Sequence, residues 1–279
     1  MSQTASVTGR DTLRPTTGTR VGLDVLRAEW TKVRTVPETG WLIAAIAVLT
    51  IAVSTAVIAV ARCTPGASCT ADTTKLSLTG IEVGQAVVAI LAVLAITSEY
   101  STGMIRTTLT AMPRRFGVLA AKAAVLTGLV LPAAIVSVAG CLLAGREILP
   151  GQGFTAVRGF ALLSLAHGPT LRAAAGSVLY LLLIGLLALG VATIVRDSAA
   201  ATGTVLALLY LAPILAAFVG SPAWQRRVER YGPTSAGLTI QDTTGSHLPI
   251  GPWGGLAVLA IWAAAALLAG GLLLRFRDA

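Results

Sequence analysis

The chain has 279 residues, of which 55% are hydrophobic and only 12% are charged, and its mean hydropathy is +0.80. Water-soluble domains carry about 25% charged residues, so this composition excludes a soluble globular protein with a separate catalytic domain. The net charge of +9 does not indicate nucleic-acid binding, because the basic residues bracket apolar runs instead of forming one basic face.

The amino-terminal part of the chain divides into two segments. Residues 1–21 are rich in Thr, Ser and Arg and have no apolar core, so we expect a disordered cytoplasmic tail and no signal peptide. In residues 22–37, apolar side chains recur at helical spacing from Leu23 to Val33, and Pro37 ends the pattern. This pattern predicts an amphipathic interfacial helix; a plain cytoplasmic extension is the alternative.

Residues 38–279 contain six long runs without a charged side chain, at 39–61, 83–98, 123–145, 173–195, 198–225 and 243–274. A bilayer core is about 30 Å thick and a helix rises about 1.5 Å per residue, so roughly 20 apolar residues cross it. The sequence therefore predicts one all-α, polytopic integral membrane domain with six transmembrane helices. Pro132 and Pro213 predict kinks in the third and fifth spans.

The second run, 83–98, is too short to cross a bilayer by itself. It becomes long enough if residues 76–81 join it and Glu82 lies near the headgroups. An acidic residue at that depth is either an interfacial side chain or a functional intramembrane carboxylate. Because Glu82 lies at an end of the run, we favour the interface.

The distribution of basic residues predicts the orientation in the membrane. With the amino terminus inside the cell, the cytoplasmic segments contain the larger share of the 21 lysines and arginines, as the positive-inside rule requires. An even number of spans then places both termini in the cytoplasm.

Three cysteines divide into a pair and a single residue. Cys63 and Cys69 flank Thr-Pro-Gly-Ala-Ser just outside the first span, and the Pro-Gly turn favours bringing the two thiols together. We expect them to form a disulfide bond; two unpaired loop cysteines are the alternative. Cys141 lies inside the third run and is expected to be a small packing residue.

Several kinds of chemistry have no counterpart in this sequence. No Gly-Lys pair occurs, which excludes a Walker A nucleotide-binding loop, and the two histidines, His167 and His247, have no acidic or cysteine cluster nearby. We therefore expect no catalytic residue, no metal site and no cofactor on this chain. No pair of mid-membrane carboxylates is placed to relay protons.

The polar segment after the second run has a distinctive pattern. Ile105, Leu109 and Met112 fall at helical spacing, with Gly103 before them and Pro113 after them. This spacing predicts a short amphipathic helix on which a soluble partner can dock; a basic loop that only fixes topology is the alternative.

In full, that segment reads Glu99-Tyr100-Ser101-Thr102-Gly103-Met104-Ile105-Arg106-Thr107-Thr108-Leu109-Thr110, with Pro113-Arg114-Arg115 shortly after it. It resembles the boundary after the second span of bacterial ABC-2 type transporter permeases. Residues 27–32, 231–237 and 275–279 also resemble segments of that family, in the same order around six spans.

The resemblance implies the fold of an ABC-2 exporter permease in a bacterial plasma membrane, working with a separate ATP-binding subunit and a second permease chain, identical or a paralogue. ATP and Mg²⁺ are then expected on the partner ATPase, and residues 22–37 are expected to be the connecting helix. The ATPase-coupling segment implied by the resemblance contains Glu99, Ile105, Arg106, Leu109, Met112 and Arg114. We expect Glu99 to pair with Arg106 or with a basic group of the partner.

Two other classes of function remain open. An ATP-independent secondary transporter or channel predicts mid-membrane charges or broken helices around a central site, and the runs lack such charges. An integral-membrane enzyme predicts clustered Asp, His or Ser residues at the membrane surface, and we find no such cluster. The sequence does not name the cargo.

Overall fold

The computed structural model describes residues 37–63, 71–101, 115–155, 163–219, 221–245 and 250–276, and within these ranges it contains helices and no β-strand. The amino-terminal tail and residues 22–36 lie outside the described residues. The α-helices in chain order are α1 (Pro37–Val60), α2 (Thr73–Ser77), α3 (Ile81–Ser101), α4 (Arg115–Ile148), α5 (Gly168–Val195), α6 (Ser198–Leu206), α7 (Ala212–Val219), α8 (Pro222–Tyr231), α9 (Pro233–Gly237) and α10 (Pro252–Phe276).

Six helical segments of the described chain are long and apolar enough to cross a membrane, which confirms the all-α class and the six predicted spans. The first four spans and the sixth lie in α1, α3, α4, α5 and α10. The fifth consists of α6, a π-helical turn at Ala207–Leu211, and the beginning of α7.

Some spans begin or end at residues other than those predicted. Helix α4 has 34 residues, roughly 51 Å at 1.5 Å each, and starts well before the predicted run at 123. Its Lys122 does not mark a boundary because the charge is buried beside Glu99. Helix α3 begins at Ile81, so of residues 76–81 only Ile81 joins the second span, because a turn separates α3 from α2. Glu82 is exposed in the first turn of α3, and its position at the headgroups stays a prediction.

The fifth span is interrupted immediately before its proline. The π-helical turn Ala207–Leu211 precedes α7, in which Pro213 is the second residue. Proline has no N–H to donate to the carbonyl four residues earlier, and its ring crowds that carbonyl. A wider π turn relieves this crowding at Leu209. Pro132, by contrast, lies inside α4, which continues through it as one helix.

The core of the bundle is formed by the second and fourth spans. In the most apolar stretch of the second span 61% of the residues are buried, whereas in the first and fifth spans only 22% are buried. Helix α5 packs against α3, α4 and α10 and contributes the fully buried Tyr180, Leu181 and Ile184. The less buried spans leave apolar faces for lipid or another protein chain.

Contacts between helix termini define two ends of the bundle. At one end, Glu99 of α3 pairs with Lys122 of α4. At the other, Asp72 accepts a hydrogen bond from the Thr243 hydroxyl at 2.8 Å. We name these the Glu99 end and the Asp72 end.

Residues 231–242 fold back alongside α5 and α10. Trp262, roughly 15 Å along α10 from Pro252, donates its indole N–H to the Tyr231 carbonyl at 3.0 Å. Further along the segment, Arg172, near the start of α5, donates to the Asp242 carbonyl. The chain therefore enters the bundle at Tyr231 and returns to the Asp72 end at Asp242.

Candidate functional site

A buried ion pair joins the two helices that flank residues 102–114. The Glu99 Oε1 and Lys122 Nζ atoms are 2.8 Å apart, and both side chains are 4% exposed. The Lys122 ammonium also lies 3.4 Å from the Ala95 carbonyl of α3. Two opposite charges so close together, removed from solvent, hold the carboxyl end of α3 against the first turns of α4.

The ion pair matters most when one of its two charges is removed. Taking two charges out of water is costly, so the intact pair adds little net stability. Removing one partner, however, takes away the opposite charge 2.8 Å from the remaining buried charge, at a cost of about 3–5 kcal/mol. The pair therefore strongly favours one arrangement of α3 against α4.

A second polar contact extends the cluster to α5. The guanidinium carbon of Arg196 lies 5.5 Å from the centre of the Tyr100 ring, a favourable cation–π distance. Arg196 comes directly after the last residue of α5 and has a left-handed backbone with φ of 64°. We name Glu99, Tyr100, Lys122 and Arg196 the Glu99 cluster; its members connect α3, α4 and the α5–α6 junction.

Glu99 is the one residue of the predicted coupling segment that the structure describes. In the structure Glu99 pairs with Lys122, a partner that the sequence does not predict. Its expected pairing with Arg106 or with a basic group of the partner stays a prediction, because Arg106 lies outside the described residues. The remaining residues of the predicted coupling segment lie outside the described residues: Ile105, Arg106, Leu109, Met112 and Arg114.

The Asp72 end contains a second polar network. Asp72 caps α2 by accepting from the backbone N–H groups of Thr74 at 3.0 Å and Lys75 at 3.1 Å, and it also holds Thr243. Deeper in the bundle, Gln241 donates to the Ser177 hydroxyl at 3.1 Å. These bonds fix residues 231–242, which we name the fold-back segment, and the adjoining Thr243 to α2 and α5.

Close packing of small residues seats the fold-back segment. A Cβ atom on Gly255 of α10 would overlap the carbonyl oxygen of Ala236, and one on Gly176 of α5 would overlap Ile240. Glycine at 176 and 255 therefore allows the fold-back segment to lie between α5 and α10. On the same helix α5, the Tyr180 hydroxyl donates a hydrogen bond to the side-chain oxygen of Gln85 in α3.

Two cavities border this region. One of about 450 Å³ lies at the Asp72 end and is lined by Arg172, residues 242–245 and Pro252, among others. The other, of about 420 Å³, is almost entirely apolar and lies between α4, α5 and α10, where Thr127, Leu183 and Ala257 line it. Both have the size of small-molecule sites, but neither contains a cluster of reactive groups.

The described cysteines and metal-ligating side chains show no reactive centre. Cys63 is buried and disulfide-bonded, and its N–H donates to the Gln152 carbonyl at 2.9 Å. Cys69 lies outside the described residues, so its pairing with Cys63 stays a prediction. Cys141 is free and buried in α4, which fits a packing role. Among the described residues, no group of three His, Cys, Asp or Glu side chains is placed to hold a metal ion.

Comparison with protein-family models gives no match for this chain, and no curated protein matches it. The proposal for function is therefore based on the geometry of the two bundle ends.

Sequence reasoning misses Lys122 and Arg196 as site residues, because it treats both only as charges that fix topology. A signal for Lys122 exists, since it precedes an uncharged run in the same way that Glu99 comes after one.

Proposed function

We propose that the chain is the membrane-spanning permease subunit of an ATP-driven ABC-2 type exporter in a bacterial plasma membrane. A separate ATP-binding subunit, which holds ATP and Mg²⁺, docks on residues 102–114. The observation that carries this proposal is the Glu99–Lys122 pair, because it ties together the helices on either side of that segment. Stiff attachment is what a docking segment needs to pass a partner's movement to the spans.

The Glu99 cluster also has hydrogen-bonding capacity to spare. The Nε and one Nη atom of Arg196 are buried and find no acceptor among the described residues. Buried donors without acceptors are costly, which favours a carboxylate or carbonyl group from the neighbouring segment or from the ATPase. In this proposal the Glu99 end faces the cytoplasm, both termini are cytoplasmic, and a second permease chain completes the translocation path.

The test is co-purification of the tagged chain from its host membrane in mild detergent, with identification of any bound Walker A subunit by mass spectrometry and assay of its ATPase activity. We expect an ATPase subunit to co-purify with the wild-type chain. Leu109→Asp should lose it, because an unpaired charge replaces an apolar anchor worth about 2 kcal/mol or more. Arg114→Ala should lose less, since a rim charge is partly screened.

A matched control places the same charge on the other side of the predicted docking helix. Thr107 lies opposite Leu109 at helical spacing, so Thr107→Asp should retain the ATPase. Normal assembly and export by Leu109→Asp would reduce residues 102–114 to a topological loop. Export that continues after ATP depletion would instead favour the ATP-independent transporter or channel.

A further inference from the structure

Helix α8 presents three arginines on one side. Its sequence is Pro-Ala-Trp-Gln-Arg-Arg-Val-Glu-Arg-Tyr, and at 100° per residue Arg226, Arg227 and Arg230 fall within about a third of the helix circumference. Glu229 lies on a different side. All three arginines are exposed, and no residue of α8 is buried.

An apolar edge runs beside these arginines. Trp224, Val228 and Tyr231 share the neighbouring side of α8, and Trp224 is 46% and Tyr231 58% exposed. At the carboxyl end of α8, the bond from Trp262 to the Tyr231 carbonyl holds the helix against the half of the sixth span that begins at Pro252. A helix with aromatic and arginine edges, both exposed and attached beside a membrane span, is typical of the membrane interface.

The three positive charges have no anionic partner in the described chain. No salt bridge joins them to a described carboxylate, and Arg230 lies 5.6 Å from the centre of the adjacent Tyr231 ring. Planar guanidinium groups bind phosphate oxygens in a fork, and their long stems let them reach headgroups from slightly below. The proposed orientation also gives no topological reason for three arginines here, since it places α8 on the outer side.

We propose that this side of α8, the arginine face formed by Arg226, Arg227 and Arg230, binds the phosphate groups of anionic phospholipids while the aromatic edge enters the acyl boundary. The inference rests on the six membrane spans and on their proposed orientation, and not on the partner ATPase. Each basic side chain at an anionic bilayer surface strengthens attachment roughly fivefold at best, so three together are a substantial site.

The test measures lipid binding to the purified full chain by native mass spectrometry, with phosphatidylglycerol and phosphatidylcholine as probes. We expect wild type to bind phosphatidylglycerol more tightly. The triple variant Arg226→Gln, Arg227→Gln, Arg230→Gln should weaken the apparent Kd for phosphatidylglycerol at least about tenfold and leave phosphatidylcholine unchanged. The substituted side chains are exposed, so an unchanged melting temperature is expected and shows that the fold is intact.

Two controls isolate the arginine face. Arg62→Gln with Arg146→Gln removes two exposed arginines at the Asp72 end of the bundle and should leave phosphatidylglycerol binding unchanged. Glu229→Gln removes a negative charge from α8 and should tighten binding about two- to threefold. Equal losses in the triple and the control variants would overturn the proposal, as would displacement of the lipid by an equal concentration of soluble glycerol phosphate.

Discussion

The Oε1 atom of Glu99 and the Nζ atom of Lys122 lie 2.8 Å apart on two different spans, with the predicted coupling segment between them in the chain. Both side chains are almost fully buried, so each charge compensates the other where water cannot. The pair therefore links the stability of the α3–α4 contact to the position of the segment that those helices hold.

The first prediction is that removing one partner of this pair harms the protein more than removing both. Glu99→Gln should lower the free energy of unfolding by about 3–5 kcal/mol, because the buried Lys122 ammonium loses the carboxylate 2.8 Å away from it. Lys122→Met should lower it by a similar amount, because the buried Glu99 carboxylate then loses the ammonium group beside it. Both are measured by denaturant titration of helical circular dichroism in detergent.

The double variant Glu99→Gln with Lys122→Met is the control, since neither charge is then left without a partner. Its stability should lie closer to wild type than that of either single variant. Strictly additive losses would show that the two charges do not compensate each other.

The number of spans could be predicted from sequence, whereas the polar cluster could not. Uncharged runs of sufficient length identify spans because charge is costly in a bilayer core. The same rule stops the third span at Lys122, although pairing with Glu99 lets that helix continue to Arg115. Which lysine meets which glutamate depends on how α3 and α4 pack, and the sequence shows only that Glu99 and Lys122 both border uncharged runs.

The fold-back segment shows the same limit. The uncharged run that begins at residue 243 predicts a continuous span, but α10 starts only at Pro252. Asp242, the residue before that run, lies at the Asp72 end, where its carbonyl accepts a hydrogen bond from Arg172. Hydropathy cannot distinguish an uncharged loop from a helix, and the close fit of Gly255 to Ala236 is visible only in three dimensions.

The second prediction concerns that close fit. Gly255→Ala should lower stability by about 1–3 kcal/mol, since the new methyl group would overlap the Ala236 carbonyl, which is backbone and cannot rotate away. Thermal unfolding in detergent measures the effect. Gly128→Ala is the matched control, because nothing lies within 4 Å of its added methyl group. Equal melting temperatures for both variants would show that the segment is not tightly seated.

The third prediction is that Cys63 and Cys69 are bonded to each other. Non-reducing proteolysis and mass spectrometry of the purified protein should give one peptide pair that separates on reduction. The small loop restricts the unfolded chain only locally, so Cys63→Ser with Cys69→Ser should cost about 2 kcal/mol. Full thiol labelling of both residues without a reductant would contradict the pairing.

The last prediction assigns the two bundle ends to the two sides of the membrane. Reporter fusions at Thr17, at Arg114 and at the carboxyl terminus should report the cytoplasm, and fusions at Ala67 and Thr243 should report the outside. The physical reason is the excess of basic residues in the two terminal segments and the joining segments at the Glu99 end taken together, which contain 13 of the 21 lysines and arginines. A fully inverted pattern would contradict the charge rule while retaining six spans. A mixed pattern, in which Ala67 and Thr243 lie on opposite sides, would instead contradict the contact between Asp72 and Thr243, because a hydrogen bond cannot join residues on two sides of a bilayer.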